Sequence, residues 1–296
     1  MATGKNMIRR LLIELGLCDA SSIRPFYPRV RDRDDVSVFR CTKSGIIFLS
    51  GTDHLAASRY EGQEGFSYWS VHDRQQAINI GLEDTARRKK ILQHMVVNKK
   101  WLDIGAGAGG ILDAVSPLAS TVVAVEPQKA ARASLERAGY PVYPGIEDVE
   151  EDDFDVITLF HVLEHMVDPL ADLQRLHDRL AGHGRIVIEV PHARDLLLSL
   201  LDLDSFKKFT FWSEHLILHT RQSLARFLEE AGFREIVIEG CQRYPLANHL
   251  HWLARNRPGG HEEWRFLRTG ELDSAYSRML ARIDRTDTLV ATAVKK

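Results

Sequence analysis

Short apolar runs alternate with amphipathic segments through the middle of the chain. The apolar runs predict β-strands and read WLDIG (101–105), TVVAVE (121–126), DVITLF (155–160) and RIVIEV (185–190). The amphipathic segments predict helices at 76–98, 129–139, 169–184 and 221–232, the third with a glycine stop. Within the first of them, Ile80 and Leu82 fall at positions expected to be buried. Such alternation is typical of parallel βαβ units, so the pattern predicts an α/β fold.

Two further runs, REIVIEG (234–240) and TLVATAV (288–294), predict strands near the end of the chain. If these strands pair, the residues between them form a long insertion, and long ordered insertions often cover a site. We therefore expect three parts: an N-terminal extension (1–75), a core (76–240 with 286–296) and an insertion that covers the acceptor site (241–285).

Composition narrows the class of protein. The 296 residues carry a formal net charge of −2, which argues against a nucleic-acid partner because such proteins show a basic stripe or face. The cluster RRKK (87–90) is interpreted as a solvated helix face. The leucine-rich stretch 196–203 falls well short of the roughly 18 apolar residues of a membrane span.

Cysteine usage and the N-terminus bear on location. The three cysteines form no C-x-x-C pair and no disulfide framework, so a reducing compartment fits best. The N-terminus lacks the apolar core and cleavage site of a secretory signal. We expect a cytoplasmic protein without a membrane span.

The stretch WLDIGAGAGG (101–110) is the most informative in the chain. Gly105, Gly107 and Gly109 leave space for a ligand against the backbone, between a strand and a helix N-terminus. The same letters satisfy G-x-G-x-x-G through Gly105, Gly107 and Gly110, so a nicotinamide dinucleotide is one candidate ligand.

Two acidic residues sharpen that choice. Asp103 lies where a nicotinamide-binding strand would normally stay apolar, and its carboxylate suits a ligand with positive charge near the loop. Glu126 ends the next strand and can accept both hydroxyls of a ribose. Because ribose recognition is common to both kinds of ligand, Asp103 discriminates better between them.

A set of ordered motifs resembles those of class I S-adenosylmethionine-dependent methyltransferases. The motifs are LDIGAGAG, VVAVEPQ, GIEDVEEDDFDVITLFHVLEHMVDP and GRIVIEVP, and the match covers roughly residues 99–240. The resemblance implies a Rossmann-like, doubly wound, seven-stranded sheet with the last strand antiparallel, and S-adenosylmethionine as cofactor. It places Asp103, Gly105, Ala106 and Gly107 by the methionine part, Glu126, Pro127 and Gln128 by the ribose, Ile146 and Glu147 by the adenine, and Phe160 and His161 by the sulfonium. Gly109, in the same loop, is also expected to bind the cofactor.

The pentapeptide HVLEH (161–165) has the H-x-x-E-H spacing of one class of zinc peptidase. Such a site needs both histidines in one longer helix and a third ligand. The strand before it and the Asp168-Pro169 pair after it leave little room for that helix. We therefore expect no metal here, with His165 as a structural histidine and His161 at the ligand-binding end of a strand.

The segment FTFWSEHLILHT (209–220) bears on the acceptor. His215 and His219 are four apart, but they lead into a helix for which Thr220 is the expected N-cap. The segment resembles a motif of methyltransferases that act on nucleotide-linked sugars and other small molecules. In sugar C-methyltransferases of that group, a Glu-His pair in this motif lies at the acceptor site and assists proton removal. Glu214 and His215 match that pair.

The neighbours of this pair depart from the sugar C-methyltransferase pattern. Trp212, Ser213 and Leu218 replace its tyrosine- and histidine-rich surroundings, which favours O-methylation over C-methylation of a keto-sugar.

The N-terminal stretch 38–50 also resembles the end of a small zinc module, in which a cysteine would replace Ser44. With Cys18 and Cys41 as its cysteines, the region cannot supply four thiolates, and we expect a degenerate, metal-free module.

The expected function is methyl transfer from S-adenosylmethionine to a small or medium hydroxylated acceptor, such as a nucleotide-linked sugar or a surface-glycan precursor. Histidine suits proton removal near neutral pH, so His215 is the expected base, oriented by Glu214, with His161 as the second candidate. Two alternatives remain open at this point: a nicotinamide-dependent oxidoreductase, and a non-catalytic module that binds an adenosyl ligand.

Overall fold

The computed structural model describes residues 7–52, 54–55, 71 and 73–295. The strands are β1 (Ile23–Tyr27), β2 (Val38–Cys41), β3 (Ile47–Leu49), β4 (Lys100–Ile104), β5 (Thr121–Val125), β6 (Val142–Tyr143), β7 (Phe154–Phe160), β8 (Leu180–Pro191), β9 (Ile217–Leu218), β10 (Phe233–Cys241) and β11 (Thr288–Lys295). The helices are α1 (Met7–Glu14), α2 (Arg74–Ile80), α3 (Leu82–Leu92), α4 (Gly110–Val115), α5 (Lys129–Arg137), α6 (Pro169–Arg179), α7 (Asp204–Thr210), α8 (Arg221–Glu230), α9 (Leu246–Arg255), α10 (Gly260–Glu263) and α11 (Gly270–Arg282).

The larger sheet has seven strands in the order β10-β11-β8-β7-β4-β5-β6. The strands from β8 to β6 run parallel, and β11 is antiparallel to both of its neighbours. Continuous apolar runs such as β7 suit this position because a parallel sheet is covered on both faces. The predicted α/β sheet with an antiparallel last strand is confirmed, and the carboxyl ends of its parallel strands form one edge.

A smaller antiparallel sheet, β1-β2-β3-β9, ties the N-terminal residues to the segment after α7. Phe48 of β3 pairs with Ile217 of β9, and both side chains are fully buried. The N-terminal strands therefore pack directly on the segment that carries His215. The proposed division at residue 75 stays a prediction.

Two predicted helices differ from those observed. The segment 76–98 contains two helices, α2 and α3, separated by Gly81, and Ile80 and Leu82 are 56% and 53% exposed at the junction. Helix α6 ends at Arg179, five residues before the expected glycine stop. Gly184 lies in β8, where a Cβ would come within 2.8 Å of the Phe154 carbonyl oxygen. That glycine permits close strand approach and does not end a helix.

Strands β10 and β11 pair, as expected, so α9, α10 and α11 lie in a long connection between neighbouring strands. The Asp287 carboxylate anchors the start of this connection by accepting the backbone N–H groups of Arg243 and Tyr244 and the Gln242 side-chain amide. The role of this connection as a cover for the acceptor stays a prediction.

Among the helices of the described residues, none is long and apolar enough to cross a membrane.

Candidate active site

The glycine loop joins β4 to α4 with three left-handed residues. Gly105, Gly107 and Gly109 have φ angles of 70°, 54° and 75°, a region that strongly favours glycine. A Cβ on Gly105 would also lie 2.4 Å from a methyl carbon of Val162. The loop therefore requires glycine at 105 for both its backbone and its packing.

Glu126 ties the loop to the end of β5. Its two carboxylate oxygens accept the backbone N–H groups of Gly107 at 2.7 Å and Gln128 at 2.8 Å. The side chain is 6% exposed, and burial raises the pKa of Glu126 despite these bonds. A carboxylate held this way beside the loop has further lone pairs with which to accept ligand hydroxyls.

Asp103 is a buried carboxylate beside the same loop. Thr158 Oγ1 donates to it at 2.5 Å, and the Trp101 indole N–H donates in turn to that hydroxyl. Burial raises the pKa of Asp103 to about 7. A cationic ligand group would stabilise the ionised carboxylate, because an opposite charge favours the charged form.

The other predicted cofactor residues follow the strand ends. Pro127 and Gln128 come directly after Glu126, and Ile146 and Glu147 lie in a short helical turn after β6. Ala106, which is half-buried, lies within the glycine loop. All of these positions lie along the carboxyl edge of the parallel strands, where open α/β sheets bind ligands.

Phe160 ends β7 at the centre of this edge, and His161 directly follows it. The Phe160 ring lies under the Arg88 guanidinium, 4.7 Å from the ring centroid. His161 has a φ of 58°, and its backbone N–H donates to the carbonyl of Glu189. A non-glycine residue in this conformation is uncommon and is often associated with a functional site.

Two buried glutamates hold the His161 ring. Its Nδ1 lies 3.0 Å from Glu164 Oε1, and its Nε2 lies 3.1 Å from Glu189 Oε1. Burial and the nearby Arg243 lower the pKa of His161, but the hydrogen bonds to the two glutamates outweigh them and raise it. The ring is thus engaged at both nitrogens.

Glu189 was not singled out by sequence, although it is a charged residue inside an apolar strand. It is fully buried and accepts two bonds from Arg87, at 2.6 and 2.9 Å, and two from Arg88, at 2.7 and 3.3 Å. The interpretation of RRKK as a solvated face is wrong for these two arginines, which point inward. Lys89 and Lys90 are exposed, as expected.

Arg243 links the long connection after β10 to this cluster. Its guanidinium bonds both carboxylate oxygens of Asp84 on α3 and lies 3.0 Å from His161 Nε2. This contact could not be predicted from local sequence, because Arg243 is 159 positions from Asp84. A part-buried ion pair with Asp84 therefore joins the connection to α3, and the contact with His161 joins it to the end of β7.

His215 lies beside Glu164 and His165. Its ring is half-buried and meets the rings of His165 and Trp212 edge-on, with centroids 5.0 and 5.4 Å away. Burial lowers the pKa of His215 to about 3, against the charge of Glu164. The imidazole is therefore neutral at pH 7. Glu214 is 8% exposed, and its orienting role stays a prediction.

His219 lies apart from this group. It is buried against Phe227, its Nδ1 lies 3.2 Å from Ser223 Oγ, and burial lowers its pKa to about 4. Thr220 accepts the Ser223 N–H at the start of α8, which confirms the predicted N-cap.

Four side chains with thiol or hydroxyl groups converge near the N-terminal sheet. Cys41 Sγ lies 3.4 Å from Ser22 Oγ, and Cys18 Sγ lies 3.9 Å from Ser44 Oγ. Burial raises the pKa of Cys18 to about 12. Burial also opposes ionisation of Cys41, but its hydrogen bonds with Ser22 and Ser44 lower its pKa to about 7.

Comparison with known proteins agrees with this geometry. A family model described as a methyltransferase domain matches residues 72–237. A SAM-dependent methyltransferase from Archaeoglobus fulgidus has a similar structure, with 18% identity, a TM-score of 0.52, and coverage of 75% of this chain and 95% of that chain. A chain from the complex between the Haloferax volcanii Trm112 methyltransferase activator and a methyltransferase is similar at 14% identity and a TM-score of 0.52, over 75% and 95% of the two chains. No curated protein sequence matches this chain.

Proposed function

Because the chain belongs to the methyltransferase-domain family, which uses S-adenosylmethionine, we propose that it methylates a hydroxyl oxygen of a small or medium-sized acceptor. The family decides the class of enzyme against a nicotinamide-dependent oxidoreductase and against a non-catalytic module. The acceptor atom and the roles of individual residues are the parts of the proposal that go beyond the family.

The cofactor residues expected from sequence fit S-adenosylmethionine. Bound there, the cofactor supplies a methyl group already activated by a sulfonium. Asp103 would face its ammonium group, since a buried carboxylate with a pKa near 7 gains from a cationic partner. Glu126 would accept the ribose hydroxyls, and the left-handed glycines let the ligand approach the loop backbone.

His215 is the better of the two candidate proton acceptors, and this contrast carries the proposal. Glu164 and Glu189 face the two nitrogens of His161 and raise its pKa, so that ring holds its own proton more tightly and is a poorer acceptor for another. His215 is neutral and half-buried, and the contacts of its ring are with two other rings. Alignment and desolvation supply most of the remaining catalysis in such a displacement.

The acceptor class rests on the resemblance and on the connection after β10. Arg243 attaches that connection to the cluster around His161, which supports its role as a cover over the acceptor. A nucleotide-linked sugar or a surface-glycan precursor is the class that we propose, methylated on oxygen, with Trp212 beside His215 where the C-methyltransferase pattern has other residues.

The N-terminal cluster of Cys18, Ser22, Cys41 and Ser44 supports a related proposal. Two thiols and two hydroxyls converge where a zinc module would have four thiolates. We propose that this region is a degenerate zinc module that holds no metal.

A labelled-donor screen tests the function. Purified protein is incubated with methyl-labelled S-adenosylmethionine and a panel of nucleotide-linked sugars, and the methylated atom is located by mass spectrometry and NMR. His215→Ala should lower turnover about 10²–10⁴-fold and leave cofactor affinity unchanged, whereas His94→Ala, at an exposed position, should change neither. Unchanged turnover in His215→Ala removes this residue from the mechanism, and methyl transfer to carbon or nitrogen refutes O-methylation.

A further inference from the structure

Three side chains with metal-binding groups converge from two segments of the chain. Glu164 and His165 lie in the turn after β7, and His215 lies in the loop before β9. One donor atom from each lies within 4.8 Å of the other two. Glu164 is fully buried, and the two histidines are half-buried.

Two of these side chains each have one polar atom without a hydrogen-bond partner among the described residues. Glu164 Oε2 and His165 Nδ1 are buried and unpartnered, although His161 engages the other carboxylate oxygen of Glu164 at 3.0 Å. Leaving a buried polar atom unsatisfied costs about 1–3 kcal/mol, and more for a charged group. Native proteins rarely tolerate such atoms without an ion, a water or a functional reason.

The surroundings preorganise the three groups for an ion. The edge of Trp212 meets both imidazoles, with centroids 6.1 Å from His165 and 5.4 Å from His215. His161 holds Glu164 from behind, as outer residues do around metal ligands.

We propose that Glu164, His165 and His215 bind one divalent transition-metal ion, of which zinc and iron(II) best match two imidazoles and one carboxylate. The sequence pattern predicted no metal here, because little room is left for one longer helix that carries both His161 and His165. The structure uses a different pair, Glu164 and His165, and brings the third ligand from 50 positions away in the chain. Three protein ligands leave an open coordination position, as in catalytic sites.

The chemical role of this ion rests on the proposed function. The acceptor hydroxyl binds the ion at its open position, and the ion lowers the pKa of that hydroxyl. The hydroxyl proton passes to water, and the oxygen then forms its bond to the methyl carbon as the carbon–sulfur bond breaks. In the ion-bound enzyme His215 is therefore a ligand, and proton acceptance by its free ring is confined to the metal-free protein.

Metal binding is tested on the full chain without methyl donor. Chelator-treated protein is dialysed against Zn²⁺, and bound metal is counted by mass spectrometry. Wild type should hold one equivalent, and His165→Ala and His215→Ala should each bind at least about tenfold more weakly. His94→Ala and Cys18→Ala should bind as wild type, the latter because the thiol cluster is a separate group. No stoichiometric zinc in wild type, or unchanged affinity in His215→Ala, refutes the site.

A second measurement separates the site from its role. Removing the metal should slow methyl transfer to the lower rate that the free His215 ring supports as proton acceptor, and added Zn²⁺ or Fe²⁺ should restore the full rate. Full turnover by the metal-free protein refutes the catalytic role. Stoichiometric zinc binding without methyl transfer to any hydroxylated acceptor refutes the proposed function and leaves the metal site standing.

Discussion

Glu189 Oε1 lies 3.1 Å from His161 Nε2, although Glu189 lies in β8 and His161 directly follows β7. The same carboxylate accepts from Arg87 and Arg88 on α3. One buried anion thus joins the helix before the glycine loop to the strand end at which the cofactor and acceptor are expected to meet.

Glu189→Gln should destabilise the protein by about 3 kcal/mol, because removing one partner of a buried ion pair leaves the other charge uncompensated. Two arginines and His161 would lose their shared anion. Urea unfolding measures the change. Glu136→Gln, at an exposed position, should stay within about 0.5 kcal/mol of wild type. A loss below about 1 kcal/mol for Glu189→Gln would mean that other groups neutralise the arginines.

The sheet and the cofactor edge could be predicted because their signals are local. An apolar run predicts its own strand, and the glycines and acidic residues lie within or directly after such runs. Glu189 and Arg87 could not be paired in this way, since 102 positions separate them and pairing depends on tertiary structure. A charged residue in a buried strand indicates that another polar or charged group pairs with it, but the strand's own sequence does not indicate which residue that is.

The same limit applies to the acceptor side. His215 was identified from its own segment, but Glu164 and His165 reach it from the turn after β7. Periodicity also placed Ile80 and Leu82 inside a single helix, whereas Gly81 divides that helix and leaves both side chains exposed. Local pattern fixes an element's type better than its ends or its neighbours.

Gly105→Ala should lower stability by about 2–4 kcal/mol and weaken cofactor binding. It adds the strain of a left-handed alanine, about 1–2 kcal/mol, to a clash with Val162. Gly139→Ala is the matched control, since Gly139 also has a positive φ but open space around its Cβ position. It should show the strain alone. The double variant Gly105→Ala/Val162→Ala should regain packing, measured by thermal unfolding and calorimetry; equal losses for Gly105→Ala and Gly139→Ala would refute the clash.

Ser22→Cys/Ser44→Cys should create a zinc site at the N-terminal cluster. The variant would have four convergent thiols, with spacings of Cys-x₃-Cys and Cys-x₂-Cys that suit tetrahedral zinc. It should bind one equivalent more than wild type and gain about 2.7 kcal/mol of stability at zinc concentrations 100-fold above Kd. Ser21→Cys/Ser44→Cys is the control, because Ser21 is exposed. If the test variant gains no zinc, the cluster is not related to a zinc module.

Binding of S-adenosylmethionine should release a proton from Asp103 below neutral pH. Burial raises the pKa of Asp103 from 3.8 to about 7, so the ligand-free folded protein keeps that proton at pH 6, whereas the unfolded chain has lost it. Stability from this group is therefore greatest below about pH 4 and falls as pH rises to about 7. A bound ammonium group favours the carboxylate, so cofactor affinity should rise with pH and level off above about 7.

Calorimetry at pH 6 in buffers of different ionisation enthalpy counts the released proton. Asp103→Asn should bind the cofactor more weakly, release no proton from this position, and be more stable than wild type at pH 8 in the absence of ligand. The amide keeps an oxygen that can accept the Thr158 hydroxyl, so fold and cofactor binding can be separated. If wild type and Asp103→Asn release the same number of protons, the cationic part of the cofactor lies away from Asp103.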